Sequence, residues 1–417
     1  MPQTPGLPVR RAALRLLDAI FRRGETLEQA EGPALGDIRS APDRALAKAI
    51  AGETLRWMTD LDALIDSATK QNLPDDAKAR MVLRIMLTQA LRLDTPPHAV
   101  IATGLPLLTG GPRRLAHGVF SALVKPGRSV LPEAPTLPEA VRQRWGEERA
   151  ASIATGLAFP PELDLALKDT GETETRAVAM GGISLAPGHI RLPRGAAVES
   201  LADFKAGDWW VQDLAAQIPA RLLGDGAGRN VLDLCAAPGG KTMQLAAAGW
   251  NVTALDSSKR RLELLKDNLK RTGLKASPVR ADALTWEPKH RFDAILIDAP
   301  CTATGTCRRH PDVLHRIGAR QIPELVELQR ALAAKAAQWL NPGGVMVCAV
   351  CSLEVEEGEQ QAAWIDANCG LSPMPIKAEE LPAGLTPTPE GWLRTHPGML
   401  ADEGGLDGFF VGRWVKE

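Results

Sequence analysis

The sequence predicts an α/β fold: an all-α domain first, a small α+β insert next, and a mostly parallel sheet with helices on both faces at the end. Three observations predict this. The chain has 417 residues, its apolar residues keep helical spacing through the first 130, and strands alternate with helices from Arg229 onward. The predicted domains are residues 1–130, 131–225 and 226–417.

The N-terminal third is predicted to be a helical bundle. Val9 to Phe21 places apolar side chains three and four residues apart, as one face of a helix requires. Similar patterns predict helices over 43–58, 61–68 and 77–93, and another after Pro112. The proline-rich stretch 126–137 predicts a linker, and 138–155 predicts a helix.

The C-terminal part reads as strands that alternate with helices. Short buried strands are predicted over 231–234, 251–255, 276–280, 292–297 and 345–350. A long helix is predicted over 325–340, ending before Asn341-Pro342-Gly343-Gly344, and residues 408–415 predict one or two closing strands. In such sheets ligands bind beyond the carboxyl ends of the strands, so the residues there are the candidate site.

Composition limits the function classes. The net charge is −1, but residues 1–130 hold 18 basic and 13 acidic side chains, so this part could face phosphates or simply be a solvated surface. With no tyrosine and 4% aromatic residues, an aromatic platform for single strands is not expected. No long apolar run or signal-like start occurs, so we expect a cytoplasmic protein without a membrane span. We also expect it to be a monomer. Its six cysteines should stay reduced, which favours thiol chemistry or metal binding over disulfides.

A turn of small residues follows the first strand of the predicted sheet. Small residues let the backbone approach a ligand closely, and the helix behind them offers unpaired N–H groups. The turn lacks both the G-x-G-x-x-G pattern and the first glycine of a P-loop, which argues against a dehydrogenase and against an ATPase. The turn is Cys235, Ala236, Ala237, Pro238, Gly239, Gly240 and Lys241.

Aspartates end the next three strands. Asp256 is placed to accept hydrogen bonds from a ribose diol, Asp282 to meet a base edge, and Asp298 to lie beside a reaction centre. A single such aspartate is usually a helix cap or a turn residue, but three in one half-sheet favour a bound nucleoside. Arg261 could cover the ribose or only the helix surface.

Two cysteines end neighbouring strands. Cys301 follows the fourth strand and Cys351 the fifth, so both thiols are expected at one sheet edge. One interpretation is that they are incidental. A second, a redox or metal pair of Cys348 and Cys351, is disfavoured because strand alternation turns them to opposite faces and no second pair has zinc-ligand spacing. We therefore predict no metal.

The third interpretation is covalent catalysis, which answers a chemical need. Carbon 5 of cytosine is a poor nucleophile until a thiolate adds to carbon 6 and makes the ring enamine-like. An acidic group near ring nitrogen 3 then stabilises the developing charge, and the carbon-5 proton must leave before the thiolate can. Two thiols and the carboxylate of Asp298 match this list.

Several motifs resemble the RsmB/Nop2/Sun family of RNA cytosine-5 methyltransferases. They are VLDLCAAPGGKT around the small-residue turn, DAPCTATGTCRRHPD from Asp298, CSLEVEEGE from Cys351, WWVQDLAAQIPARLL from Trp209 and DGFFVGRW from Asp407. The N-terminal segments RRAALRLLDAI, PDRALAKAI and LDTPPHAV are similar to the NusB-like domain of the RsmB branch. The resemblance covers nearly the whole chain and implies a Rossmann-like methyltransferase domain.

The resemblance also implies roles for individual residues. Residues 235–241, with Asp256, Asp282 and Asp298, would bind S-adenosylmethionine, with Arg261 helping at the ribose and Lys241 reaching the reacting site. Cys351 would attack carbon 6, and Cys301 would assist product release. The RNA path would be lined by Arg308, Arg309 and His310, although a solvated loop explains each of these three equally well.

The NusB-like domain favours small-subunit ribosomal RNA as substrate. A transfer-RNA methyltransferase and a non-catalytic RNA-binding assembly factor are the alternatives, and the second has no chemical need for both thiols. The sequence departs from the family where Val350 replaces the usual threonine, and residues 345–350 lack the usual aromatic. Neither the target cytosine nor the group that activates Cys351 follows from the sequence.

Overall fold

A computed structural model describes residues 5–125, 127–196, 198–318 and 320–417. Residues 1–4, 126, 197 and 319, which fall within the predicted domains and linker, lie outside the described residues. The described residues form two compact units, one within 1–158 and 309–317 and the other within 159–308 and 318–417. The domain limits predicted at residues 130 and 225 stay a prediction.

The first unit is a helical bundle. Its core is built from the apolar faces of helices whose spacing the sequence shows, including Leu16, Leu17, Ile50, Leu83 and Phe120. The helices are α1 (Leu7–Arg23), α2 (Leu27–Leu35), α3 (Ala41–Arg56), α4 (Met58–Ser67), α5 (Lys78–Arg92), α6 (Pro97–Gly104), α7 (Gly110–Leu123), α8 (Glu139–Trp145) and α9 (Glu147–Thr155).

The second unit begins with a small antiparallel sheet. Strand β1 (Leu163–Leu167) lies between β2 (His189–Leu192) and β3 (Trp209–Val211). Helix α10 (Thr173–Ala179) precedes β2, and α11 (Leu214–Arg221) follows β3. This segment agrees with the predicted α+β insert.

The main sheet has the order β10-β11-β8-β7-β4-β5-β6, and β9 pairs with β11. Strands β4 to β8 are parallel, whereas β9, β10 and β11 run antiparallel to their neighbours. The strands are β4 (Asn230–Leu234), β5 (Asn251–Asp256), β6 (Ser277–Arg280), β7 (Phe292–Asp298), β8 (Leu340–Val350), β9 (Ser372–Pro373), β10 (Leu393–Arg394) and β11 (Phe410–Val415). The helices are α12 (Gly240–Ala247), α13 (Lys259–Thr272), α14 (Val313–Arg316), α15 (Gln321–Trp339) and α16 (Glu359–Asn368), of which α14 lies in the first unit.

Strand order reverses at β4, which has β5 on one side and β7 on the other. Such a reversal opens a crevice at the carboxyl ends of the strands. The small-residue turn follows β4, and the two cysteines follow β7 and β8. The topology therefore places the predicted cofactor loop and the predicted thiols at one sheet edge.

Local details differ from the predictions. Two of the helices that were not predicted are α2, where Thr26 and Gln29 form a capping box, and α6, a short helix that starts at Pro97. The predicted helix over 138–155 is two helices, because Gly146 adopts φ +80° between them. Strand β8 starts at Leu340 rather than Val345: Leu340 pairs with Phe292 and Val345 with Ala294, so 341–344 bulge out of the ladder.

None of the helices in the described ranges has the length and the low polarity needed to cross a lipid bilayer.

Candidate active site

The turn after β4 adopts a backbone that few side chains tolerate. Cys235 has φ +61° and Gly239 has φ +109°, and the peptide bond between Ala237 and Pro238 is cis. A Cβ at Gly239 would also meet the Leu265 side chain at 3.0 Å, so only glycine fits there. The amides at the start of α12 consequently face the crevice beyond β4.

The aspartates at the ends of the neighbouring strands accept hydrogen bonds from backbone amides of nearby loops, and they also offer carboxylate oxygens to a ligand. Asp256, which is 3% exposed, accepts a hydrogen bond from the backbone N of Ala237 (3.2 Å) and another from that of Ser258 (2.8 Å). Arg261 lies 3.3 Å from the Asp256 carboxylate and donates to the carbonyl of Ala237. Asp282 is exposed and accepts from the N of Leu284 (3.0 Å), a turn-residue role beside its predicted one.

Asp233, on β4 itself, was missed by the sequence analysis. It is fully buried, and its Oδ2 accepts from the Thr242 hydroxyl at 2.5 Å, while its Oδ1 has no hydrogen-bond partner among the described residues. Burial, with a smaller contribution from the charge of Asp298, raises the pKa of Asp233 to about 7. The only signal in the sequence is an acidic residue inside an apolar strand, VLDL.

The thiols of Cys301 and Cys351 lie together, with their sulfurs 3.5 Å apart and both side chains partly buried. The hydrogen bond with Cys351, then burial, then the charges of Cys351 and Glu357 hold the pKa of Cys301 well above its ordinary value. The backbone N of Gly305 donates to the carbonyl of Cys351 (3.0 Å), and a Cβ at Gly305 would strike the carbonyl of Gly408. Because neither Gly305 nor Gly408 has a side chain, the backbone of the DGFF segment can pack directly against the loop that follows Cys301.

Lys241 joins the turn to the thiols. Its ammonium forms an ion pair with Asp298 at 2.7 Å and lies 5.4 Å from the Phe409 ring centre. Although burial lowers the pKa of Lys241, the charge and hydrogen bond of Asp298 outweigh burial, and Cys351 adds to them, so the pKa is raised. Lys241 is thus a buried cation whose nearest partners include Asp298 and, electrostatically, Cys351.

The other cysteines differ from this pair. Burial raises the pKa of Cys235 to about 12 and that of Cys348 further, so neither is disposed to form a thiolate. Cys348 packs with the apolar residues on one face of the sheet and Cys351 with those on the other. The two are therefore not a redox pair. Among the described residues, no group of His, Cys, Asp and Glu side chains is arranged to hold a metal ion.

The three residues predicted to face RNA differ in their exposure to solvent. Arg308 is only 2% exposed and is ion-paired with Asp213 (3.2 Å) and Asp407 (3.4 Å), which corrects the expectation that it lines an RNA path. An arginine held between two buried carboxylates serves the fold. Arg309 is partly exposed and His310 is exposed, and both belong to the first unit.

The site fits S-adenosylmethionine on the structure's own evidence. A cleft of about 380 Å³ lies against the turn and is lined by residues including Asp233, Lys241 and Asp298. The unpartnered Oδ1 of Asp233 suits the ammonium of the methionyl part, and Asp256 with Arg261 suits the ribose. When bound, the cofactor supplies the methyl group as a sulfonium.

The comparisons with known proteins agree with this geometry. Residues 220–413 match the family described as 16S rRNA methyltransferase RsmB/F, and residues 7–107 match the NusB family. The ribosomal RNA small subunit methyltransferase B of Xylella fastidiosa (strain 9a5c) is 33% identical over 432 residues, which cover 97% of this chain and 99% of that protein. The chain belongs to the small-subunit methyltransferase B family.

Solved structures show the same architecture. The structure of PH0851 covers 100% of this chain and 99% of its own with a TM-score of 0.73, but at 22% identity it supports the fold alone. A methyltransferase homologue from Pyrococcus horikoshii is 27% identical, covering 67% of this chain and 94% of its own with a TM-score of 0.56. As a member of the methyltransferase B family, the chain is an S-adenosylmethionine-dependent methyltransferase with a NusB-type N-terminal region.

Proposed function

We propose that this RNA methyltransferase transfers a methyl group to carbon 5 of a cytosine in small-subunit ribosomal RNA through a covalent Cys351 intermediate. The single observation that carries the proposal is the pair of sulfurs 3.5 Å apart beside the Lys241–Asp298 ion pair. RNA methylation accords with the family, and the ribosomal target follows the names of the relatives. All these residues come from one chain, so a monomer suffices, and a cytoplasmic location suits the substrate.

The first step is addition of Cys351. Its thiolate, facing the Lys241 ammonium, forms a bond to carbon 6, and the electron pair of the 5,6 double bond moves toward ring nitrogen 3. Asp298 lies beside this centre, where its carboxylate can accept from the amino group of the base and orient it, while the Lys241 ammonium stabilises the negative charge that develops at the ring. Carbon 5 thereby becomes the nucleophile that takes the methyl group.

The second step is release. The carbon-5 proton leaves to a base, its electron pair restores the 5,6 double bond, and the carbon 6–sulfur pair returns to Cys351. Because the pKa of Cys301 is held high, Cys301 acts as a thiol that hydrogen-bonds to the departing sulfur 3.5 Å away. The chemistry needs both thiols, which separates this proposal from a non-catalytic assembly factor. Arg309 and His310 stay proposed RNA contacts.

The test is to incubate the purified chain with S-adenosylmethionine and unmethylated transcripts of small-subunit ribosomal RNA or of transfer RNA. We expect 5-methylcytidine in nucleoside mass spectra of the ribosomal transcript and one bisulfite-protected cytosine. A methyl group on any other atom would contradict the proposed chemistry. Transfer of methyl groups to the tRNA transcript alone would instead support the alternative substrate.

A further inference from the structure

A buried carboxylate lies directly behind the two thiols. Glu357, just before α16, is 1% exposed, and its Oε1 accepts from the backbone N of Thr302 at 3.0 Å. Its Oε2 accepts from the Ser352 hydroxyl at 2.6 Å and from the Thr302 hydroxyl. Thr302 directly follows Cys301 and Ser352 directly follows Cys351, so one carboxylate is bonded to both thiol loops.

A third element joins the same carboxylate. The side-chain amide of Gln329, on α15, donates to Glu357 Oε1 at 3.0 Å and to the carbonyl of Pro300 at 2.9 Å. Pro300 is the residue before Cys301. Cys301 therefore has a neighbour tied to this network on each side, through Pro300 and through Thr302.

The network requires an acceptor at position 357. The groups around Glu357 that point at it are donors: one backbone N–H, two hydroxyls and one amide. A carboxylate accepts on both sides, whereas glutamine offers an oxygen to one side only. With that oxygen toward the Thr302 N–H and the Gln329 amide, its NH₂ would force the hydroxyls of Thr302 and Ser352 to turn from donors into acceptors and would disturb the network. Among the ion pairs of the described ranges none includes Glu357. Since a charge without a cation is costly to bury, stability alone does not account for it.

We propose that Glu357 is a positioning residue that fixes Cys301 relative to Cys351, and that the release step depends on it more than the attack step does. Cys351 has other supports, because it follows the last residue of β8, Val350, which pairs with Phe410, and its carbonyl accepts from Gly305. Cys301 lies in a loop whose anchors run through Thr302 and Pro300. This inference rests on the proposed function.

Electrostatics act in the same direction. The pKa of Cys301 is raised mainly by the hydrogen bond with Cys351, by burial and by the charge of Cys351. The charge of Glu357 raises it further by a smaller amount. Glu357 therefore helps keep Cys301 in its protonated thiol form. The cation Lys241, in contrast, interacts electrostatically with Cys351. One thiol is set as hydrogen-bond donor and the other as nucleophile.

The experiment compares Glu357→Gln with Glu356→Gln, an exposed neighbour of the same type. With small-subunit ribosomal RNA transcript and S-adenosylmethionine, we expect Glu357→Gln to lower kcat by about 100-fold, as misplacement by about 1 Å does. KM for S-adenosylmethionine should stay within about twofold, and a covalent protein–RNA band should accumulate on denaturing gels. Equal kcat in the two variants would overturn the proposal.

A double-mutant cycle tests whether Glu357 acts through Cys301. In a Cys301→Ala background, Glu357→Gln should change turnover and adduct level by less than about twofold, because the group it positions is gone. Independent, additive losses in the double variant would show a merely structural role. If Glu357→Gln fails to fold, Thr302→Val and Ser352→Ala, which each remove one hydroxyl, should show the same pattern at smaller size. If neither Thr302→Val nor Ser352→Ala lowers turnover or raises the adduct level, the positioning role of Glu357 is also overturned.

A readout without RNA separates this inference from the proposed function. Diamide, an azo oxidant, takes up the two electrons and two protons that two thiols lose on forming a disulfide, and peptide mass spectrometry identifies the Cys301–Cys351 link. We expect the linking rate to fall several-fold in Glu357→Gln and not in Glu356→Gln. An unchanged rate contradicts the positioning role. A reduced rate with no adduct in Cys301→Ala supports positioning but contradicts the covalent chemistry.

Discussion

The cofactor half and the thiol half of the sheet edge are built in different ways. In the cofactor half, beyond β4 and β5, the turn at 235–241 presents mainly backbone groups, and Asp256 braces it through backbone amides. In the thiol half, beyond β7 and β8, side chains bond to side chains around Glu357. The halves meet at the Lys241–Asp298 ion pair.

This difference predicts which amino-acid substitutions each half can accept. A turn held by backbone geometry depends on glycine at one or two positions, while a side-chain network depends on the chemistry of each member. If the halves are separable, changes in the thiol half should leave cofactor affinity intact, and changes in the cofactor half should leave the thiols reactive. The following predictions test this separation.

The largest effect is expected for Cys351→Ala. Removing the proposed nucleophile should lower methyl transfer by more than about 10³-fold, because the group that adds to carbon 6 is gone. Affinity for S-adenosylmethionine, measured by calorimetry, should stay within a few-fold. Cys369→Ala is the matched control, since burial raises the pKa of that thiol to about 11 and its loss should leave transfer unchanged. Full activity of Cys351→Ala would show that Cys351 is not the nucleophile.

Cys301→Ala should stop turnover at a later point. Attack by Cys351 proceeds, but the departing sulfur lacks its hydrogen-bond partner, so turnover should fall by about 10²-fold. A shifted protein–RNA band should appear on denaturing gels, and it should be missing from the Cys301→Ala, Cys351→Ala double variant. A single variant that gives no band with substrate RNA would contradict this division of roles.

Asp233→Asn tests the cofactor half. We expect the cofactor's ammonium to pair with this carboxylate, so losing such a charge-assisted bond should weaken binding about 10- to 100-fold. Because burial raises the pKa of Asp233 to about 7, the carboxylate is increasingly protonated below pH 7, so wild-type affinity should rise from pH 6 to pH 8. The variant should show no such rise.

Asp267→Asn, an exposed position on α13, is the control for Asp233→Asn and should keep both the affinity and its pH dependence. The rate at which diamide links Cys301 to Cys351 should be the same in both aspartate variants. A changed linking rate in Asp233→Asn would break the comparison, because it would mean that the cofactor half also sets the thiol geometry.

The sequence predicted the cofactor half better than the thiol network because contiguous residues form it. The turn at 235–241 is one motif, and the strand ends at 256, 282 and 298 follow from strand alternation. The meeting of Cys301 and Cys351 could also be predicted, since parallel neighbours end at one edge. The Glu357 network could not, because its members are separated by up to 55 residues and only packing brings them together.

Charged residues were the weakest predictions for the same reason. Arg308 and Arg309 are adjacent in the sequence, but Arg308 is buried between Asp213 and Asp407, which are 95 and 99 residues away in opposite directions. For Lys241, only the family resemblance implied a place near the reacting site, and its ammonium does pair with Asp298. Neither spacing nor hydropathy shows which carboxylate a cation will meet.

The smallest effect is expected outside both halves, on α7 of the first unit. Residues 95–132 contain no acidic residue, and Arg113, Arg114, Lys125 and Arg128 are all exposed there. Arg113 and Arg114 also form no ion pair within the described ranges. Replacing both by alanine should weaken RNA binding about 3- to 10-fold and lower the slope of log K against log salt by about 1 to 2, the signature of lost phosphate contacts.

The control for the α7 variant is Lys266→Ala, a cation of α13 that is already paired with Glu263 at 2.9 Å. It should leave RNA affinity and its salt dependence unchanged. In the α7 variant, cofactor affinity and the diamide rate should equal those of wild type, because these arginines belong to the first unit and both halves of the site to the second. A loss of RNA affinity without a change in salt slope would mean that the arginines act on folding rather than on phosphates. Equal losses of RNA and cofactor affinity would show that the first unit shapes the site itself.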